Sequence, residues 1–170
     1  MNEALKVLII EDDPDVRLGC EQALQLEGIQ TESVDSAEEA RQRIGKDFRG
    51  VIVSDIRLPR MDGMTFLREV LAIDRELPVV LITGYGDRSM AVQAMKDGAH
   101  DFIQKPFSSE YLVEVVRRAL EKRKLILEVR DLRKRLEGRN QVEARLIGND
   151  AGMERVRSLI AGLADSAADV

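Results

Sequence analysis

Short apolar runs alternate with amphipathic stretches through the first 110 or so residues. Leu5–Ile10, Thr31–Val34, Val51–Ser54, Val79–Thr83 and Asp101–Gln104 have the length of strands. VLII, VIVS and VVLIT are β-branched and nearly continuous, as expected of parallel strands covered on both faces. TESV is more polar and reads as an edge strand. Helical stretches fill the gaps. Residues 14–27 open with Pro14 and close at Gly28. Residues 37–45 follow Ser36, which with Glu39 predicts a capping box. Residues 64–75 stop before Pro78, residues 88–97 stop at Gly98, and a fifth helix follows Ser108 and Ser109. Five βα units predict a doubly wound parallel α/β sandwich of about 120 residues. Such a fold binds its ligands outside the carboxyl ends of the strands.

The last helix outruns the sandwich. From Glu110 to Glu137 there is no Gly or Pro, so a rod on the order of 40 Å is expected, with its stop at Gly138. Leu112, Val115, Val116 and Ala119 suit packing on the domain itself, beside a solvated basic face. Leu125, Val129, Leu132 and Leu136 are spaced 4, 3, 4, which is the seam of a coiled coil. A homodimer through this extended C-terminal helix is the expectation. Beyond Gly138 come a polar break, Leu146-Ile147-Gly148 and an amphipathic run from Met153 to Leu163.

Charge divides the chain in the same way. The net charge of −5 resolves into −8 for residues 1–110, +5 for 111–140 and −2 for 141–170. Composition narrows the chemistry. The single Cys20 excludes a disulfide framework and multi-cysteine zinc, and the single His100 makes nucleophile–His triads improbable. Cys20 reads as a small core residue and His100 as a bystander. No apolar run is long enough to span a membrane, and the N-terminus lacks a secretory pattern, so a cytoplasmic setting is expected. Aromatic residues make up 4% of the chain, without Trp, which argues against direct nucleic-acid binding.

The first strand runs straight into Glu11-Asp12-Asp13, and the third ends at Asp55. Side by side in a parallel sheet, these carboxylates repel unless protonated or neutralised by a cation. Ligands that are all oxygen favour Mg²⁺ or Mn²⁺. A helix N-cap accounts for Asp13 and Asp15, but not for Asp55. The fourth strand finishes at Thr83 and the fifth at Lys105-Pro106, adding a hydroxyl and an ammonium suited to a phosphoryl group. With no His or Cys nucleophile, Asp55 is the expected acceptor, forming an acyl phosphate. Taken singly, Thr83 is as easily a strand-end cap, and Lys105 more easily a solvated lysine. The weight lies on four strand ends with fitting chemistry.

The segments EDDPDVR, VSDIRLPRMDGMTFL, VVLITGYGD and GAHDFIQKPF resemble the receiver domain of two-component response regulators, over roughly residues 4–122. The resemblance implies a flavodoxin-like strand order 2-1-3-4-5 and a phosphoryl group passed to Asp55 from a sensor histidine kinase. It implies Mg²⁺ held by Asp12, Asp55 and the backbone carbonyl of Arg57, with Glu11 helping through water and Asp13 supporting. It implies a switch in which Thr83 moves inward, Phe102 rotates, and Lys105–Pro106 is cis. Without it, Phe102 would read as plain core. The tail LIGNDAGMERVRSLIAGLADSAADV resembles the start of the AAA+ ATPase domain of NtrC-type activators. This implies a receiver over 1–122, a coiled-coil linker helix over 123–140 and the truncated start of an ATPase over 141–170. In a full-length protein of that type, the partners would be the AAA+ domain, sigma-54 RNA polymerase and DNA. No P-loop or helix-turn-helix is present, so the chain is expected to be a regulatory module rather than an enzyme.

Two other readings are open. A Mg²⁺-dependent aspartyl-phosphate phosphatase would want an acid two residues after Asp55, where this chain has Arg57. A purely structural dimerisation module would have no need of Asp55, Thr83 and Lys105 together.

Overall fold

A computed structural model describes residues 4–84 and 87–146, with side chains as far as residue 143. Five strands and five helices alternate: β1 (Lys6–Ile10), α1 (Pro14–Leu26), β2 (Gln30–Val34), α2 (Ala37–Arg43), β3 (Gly50–Asp55), α3 (Gly63–Ile73), β4 (Val79–Thr83), α4 (Arg88–Asp97), β5 (Asp101–Gln104) and α5 (Ser109–Leu146). All pairings are parallel, in the order β2-β1-β3-β4-β5. This is the expected flavodoxin-like fold, and polar β2 lies at an edge. β3 and β4 are buried at every position.

Strand alternation sorts the core into two layers. Leu8, Ile10, Ile52 and Leu81 join Phe66, Leu67 and Val70 of α3 and Ala94 of α4. Val7, Ile9, Val53, Val80 and Ile82 face the other way, onto Cys20 and Leu24 of α1 and Leu112, Val115, Val116 and Ala119 of α5. Cys20 is thus a core residue, as its helical position suggested.

Local chemistry sets the helix ends. The Asp13 carboxylate accepts from the amides of Asp15 and Val16 (2.9 and 3.4 Å), with Pro14 opening α1. Ser36 accepts from the Glu39 amide at 3.2 Å, but the Glu39 carboxylate pairs with Arg43 at 3.0 Å. Only that half of the expected capping box is seen. Gly98 closes α4 at φ 114°, where a side chain would be strained.

Gly138 does not stop the last helix, which continues to Leu146. The glycine lacks the positive φ of a helix-ending cap. One interior glycine costs about 1 kcal/mol relative to alanine, and the good helix formers around it outweigh that. The expected run Met153–Leu163 lies outside the described residues.

The chain divides into two compact units after Leu127. In the first, Arg123 of α5 is fully buried, at 0% exposure. Its Nε and Nη2 donate to the Phe48 carbonyl at 3.0 and 2.9 Å, and Nη2 donates to Asp74 Oδ2 at 2.8 Å. This clamp ties α5 to the turn before β3 and the turn after α3. Leu125 of the same unit is 62% exposed. In the second unit, Val129, Leu132 and Leu136 are likewise exposed along the helix.

Candidate functional site

The parallel register assembles the site. Ile10 lies beside Ser54, Asp55 beside Ile82, and Thr83 beside Gln104. The next residues along β1 and β5, Glu11 and Lys105, therefore emerge at one edge with Asp55 and Thr83. Glu11, Asp12 and Asp55 each offer a carboxylate oxygen, and these oxygens lie within 4.8 Å of one another. Lys105 Nζ is 2.9 Å from Asp55 Oδ2 and 3.7 Å from Glu11 Oε2. The Lys105–Pro106 bond is cis, as the resemblance implied.

Three carboxylates against one ammonium leave an excess of negative charge, and the structure answers at Glu11. Burial, then a hydrogen bond with Asp55 and its charge, push the Glu11 carboxyl up to about 8. Lys105 and the Asp13 amide oppose that rise less strongly. Burial disfavours the Lys105 charge, but the hydrogen bond and charge of Asp55, with Glu11 and Asp12, outweigh it and hold the ammonium above its usual range. Glu11 Oε2 is buried without a hydrogen-bond partner. An all-oxygen set of two buried acids and one exposed acid fits a hard divalent cation such as Mg²⁺.

Asp13 stands apart from this group, because its carboxylate is engaged in capping α1. The Arg57 amide donates to Asp55 Oδ1 at 3.1 Å, bringing that peptide beside the Asp55 carboxylate. Thr83 is buried, and its hydroxyl donates to the Ile103 carbonyl at 3.4 Å. Phe102 is partly buried against the layer that contains α3 and α4. His100 is half-buried with Nδ1 unpartnered, and burial pushes its pKa down. α3 reaches the site through Gly63, whose amide donates to the Ile56 carbonyl at 2.8 Å. A Cβ at residue 63 would lie 2.5 Å from the Asp55 carbonyl oxygen.

Three further contacts support this edge, and none was read from the sequence. Arg17 Nη1 donates to the Glu11 carbonyl at 2.8 Å. Glu38 accepts from the Met61 amide at 3.0 Å, holding the turn after β3. The Arg57 guanidinium, for which the sequence suggested no partner, pairs with Asp87, with Nη2 2.6 Å from Oδ1. That hydrogen bond, then the charge of Arg57, hold the Asp87 carboxyl below its usual range despite burial. The sequence signal for Asp87 was its place one residue before α4.

The family model for the response regulator receiver domain matches residues 7–117. The chain belongs to that family. As the receiver domain of a two-component response regulator, it is similar to the C4-dicarboxylate transport transcriptional regulatory protein DctD of Pseudomonas aeruginosa. The two are 49% identical over 97% of this chain and 36% of the relative. DctD of Rhizobium meliloti is 46% identical over all of this chain and 37% of its own length. The chain thus spans little more than a third of the length of these curated relatives. The crystal structure of NtrX from Brucella abortus has a TM-score of 0.66 at 35% identity, covering 93% of this chain and 34% of NtrX. Among the described residues, no helix is long and apolar enough to cross a membrane.

Proposed function

We propose that Asp55 accepts a phosphoryl group from a phosphohistidine on a sensor histidine kinase. One observation carries the reading: the Lys105 ammonium lies 2.9 Å from Asp55 Oδ2 beside two further carboxylates. Asp55 attacks phosphorus, the P–N bond to the kinase histidine breaks, and an acyl phosphate forms. Lys105 orients Asp55 and then faces the phosphoryl oxygens as a point charge. Mg²⁺ (or Mn²⁺) would be held by Asp12, Asp55 and the Arg57 carbonyl, with Glu11 through water, while Asp13 serves by capping α1. Bound there, it supplies neutralisation of the charge gathering on the transferred group. Thr83 leaves the Ile103 carbonyl for the phosphoryl oxygens, and Phe102 turns as it moves. Arg57 stands where a phosphatase of the aspartyl-phosphate type would need an acid, which favours a regulatory module over that rival.

The exposed seam Leu125, Val129, Leu132 and Leu136 would pair two copies of α5, and the change at Thr83 and Phe102 would alter that pairing. On the likeness to DctD, residues 1–122 are the receiver, 123–140 the linker helix, and 141–170 the opening of an AAA+ domain. The full-length protein would act in the cytoplasm with sigma-54 RNA polymerase on DNA.

Intact mass after treatment with acetyl phosphate tests the acceptor. Wild type gains one phosphoryl group with Mg²⁺ and little without it, and Asp55→Asn gains none. A gain that persists in the variant removes Asp55 from the role.

A further inference from the structure

The turns after β3 and β4 are joined by an ion pair with no part in the scheme above. Arg57 Nε lies 3.2 and 3.0 Å from the two Asp87 carboxylate oxygens, and Nη2 lies 2.6 Å from Oδ1. The pair is lopsided: the Asp87 side chain is 1% exposed and that of Arg57 is 73% exposed. Asp87 Oδ2 also accepts from the Gly84 amide at 3.3 Å, so the pair secures the start of the turn after Thr83.

Each partner has a second place to go. Arg57 is anchored by its own amide to Asp55 Oδ1, which keeps the guanidinium within about one side-chain length of whatever Asp55 carries. Asp87 occupies the N-cap position of α4 but makes no side-chain hydrogen bond to the helix, and its backbone lies at φ −96° and ψ 20°. Asp13, Ser36 and Asp62 have extended backbones, and each caps its helix. α4 is therefore the helix whose capping carboxylate has been drawn off by an arginine.

Taking Asp55 as the phosphoacceptor, we propose that Arg57 is a positioning residue shared between two anions. It holds Asp87 while Asp55 is a bare carboxylate, and it moves to the phosphoryl oxygens once Asp55 is phosphorylated. A phosphoryl group presents roughly two negative charges and several acceptor oxygens, which suit the planar guanidinium fork better than one carboxylate does. Asp87 is not stranded by the exchange, because the first-turn amides of α4 receive it as a cap. The start of α4 is thereby rebuilt whenever the pocket is charged.

Beryllium fluoride with Mg²⁺ serves as the phosphoryl mimic, titrated by calorimetry into wild type, Asp87→Asn, Arg57→Met and the double variant. Asn keeps an acceptor for the Gly84 amide and removes only the competing charge. Asp87→Asn should bind the mimic about tenfold tighter and Arg57→Met about tenfold weaker. In the Arg57→Met background, Asp87→Asn should have no further effect. Amide exchange at Ser89 and Met90 should slow on mimic binding in wild type and not in Asp87→Ala. A pair that merely braces the turns predicts equal or weaker binding by a folded Asp87→Asn, and that result overturns the exchange. If Asp87→Asn does not fold, unchanged affinity in Arg57→Met overturns it instead. Wild type that binds no mimic brings down the phosphoacceptor reading and the exchange with it.

Discussion

Arg123 and Lys105 are both cations set against carboxylates, at opposite ends of β3, yet only one of them is balanced. Arg123 meets one carboxylate and one carbonyl, at 2.8 to 3.0 Å, and no other acid crowds it among the contacts described. Lys105 faces Asp55 and Glu11, with Asp12 beside them. The clamp sets one cation against one carboxylate and fixes α5 against two turns. The pocket keeps a surplus, visible in a Glu11 carboxyl lifted to about 8. Buried charge is structural when it sums to zero locally, and responsive when it does not.

Removing Arg123 is the most direct way to break this contrast. Arg123→Ala leaves Asp74 and the Phe48 carbonyl without the buried partner, and should cost about 3–5 kcal/mol in urea unfolding. Asp55→Asn lowers the surplus in the pocket, and the same measurement should move by less than about 1 kcal/mol. Equal losses at the two sites would erase the distinction.

The next effect concerns pH. Glu11 is raised from 4.5 to about 8 in the folded chain, so between those values the folded state keeps a proton that the unfolded state has released. The stability this proton confers is fully present below about 4.5 and is lost as pH rises through about 8. Carboxyls held low, such as Asp87, have the opposite dependence, so the informative quantity is a difference. Without divalent cations, the melting temperature of wild type should fall relative to that of Glu11→Gln as pH rises across this window. Added Mg²⁺ should shrink the gap. A pH-independent difference would mean that Glu11 does not carry the surplus.

The smallest effect is expected where no charge is buried at all. Gly138→Ala should raise the stability of the helix by about 1 kcal/mol or less, read as a modest gain in far-UV helical signal. A loss would show that the glycine has a role beyond being tolerated.

How much of this could be read in the sequence follows the same division. β3 and β4 end in Asp55 and Thr83, and β1 and β5 run straight into Glu11 and Lys105, so knowing the strands was enough to predict the pocket. Parallel pairing leaves little freedom in where those residues emerge. Arg57–Asp87 was hidden because it depends on the approach of two turns, thirty residues apart. Arg123 was hidden for a sharper reason. In a basic helix, a further arginine reads as part of a solvated face, and only the meeting of Phe48 and Asp74, 75 and 49 residues away, makes its burial favourable. The helix end at Gly138 was misjudged because a local stop signal was weighed without its neighbours.

Gly63 leaves its mark by what it lacks. A single methyl group there would push into the Asp55 carbonyl, so α3 could not seat as closely on the strand that carries Asp55. The position of the Asp55 carboxylate thus depends on an absent atom eight residues downstream. A search for working pockets of this kind should ask for that empty volume as strictly as for the acids themselves.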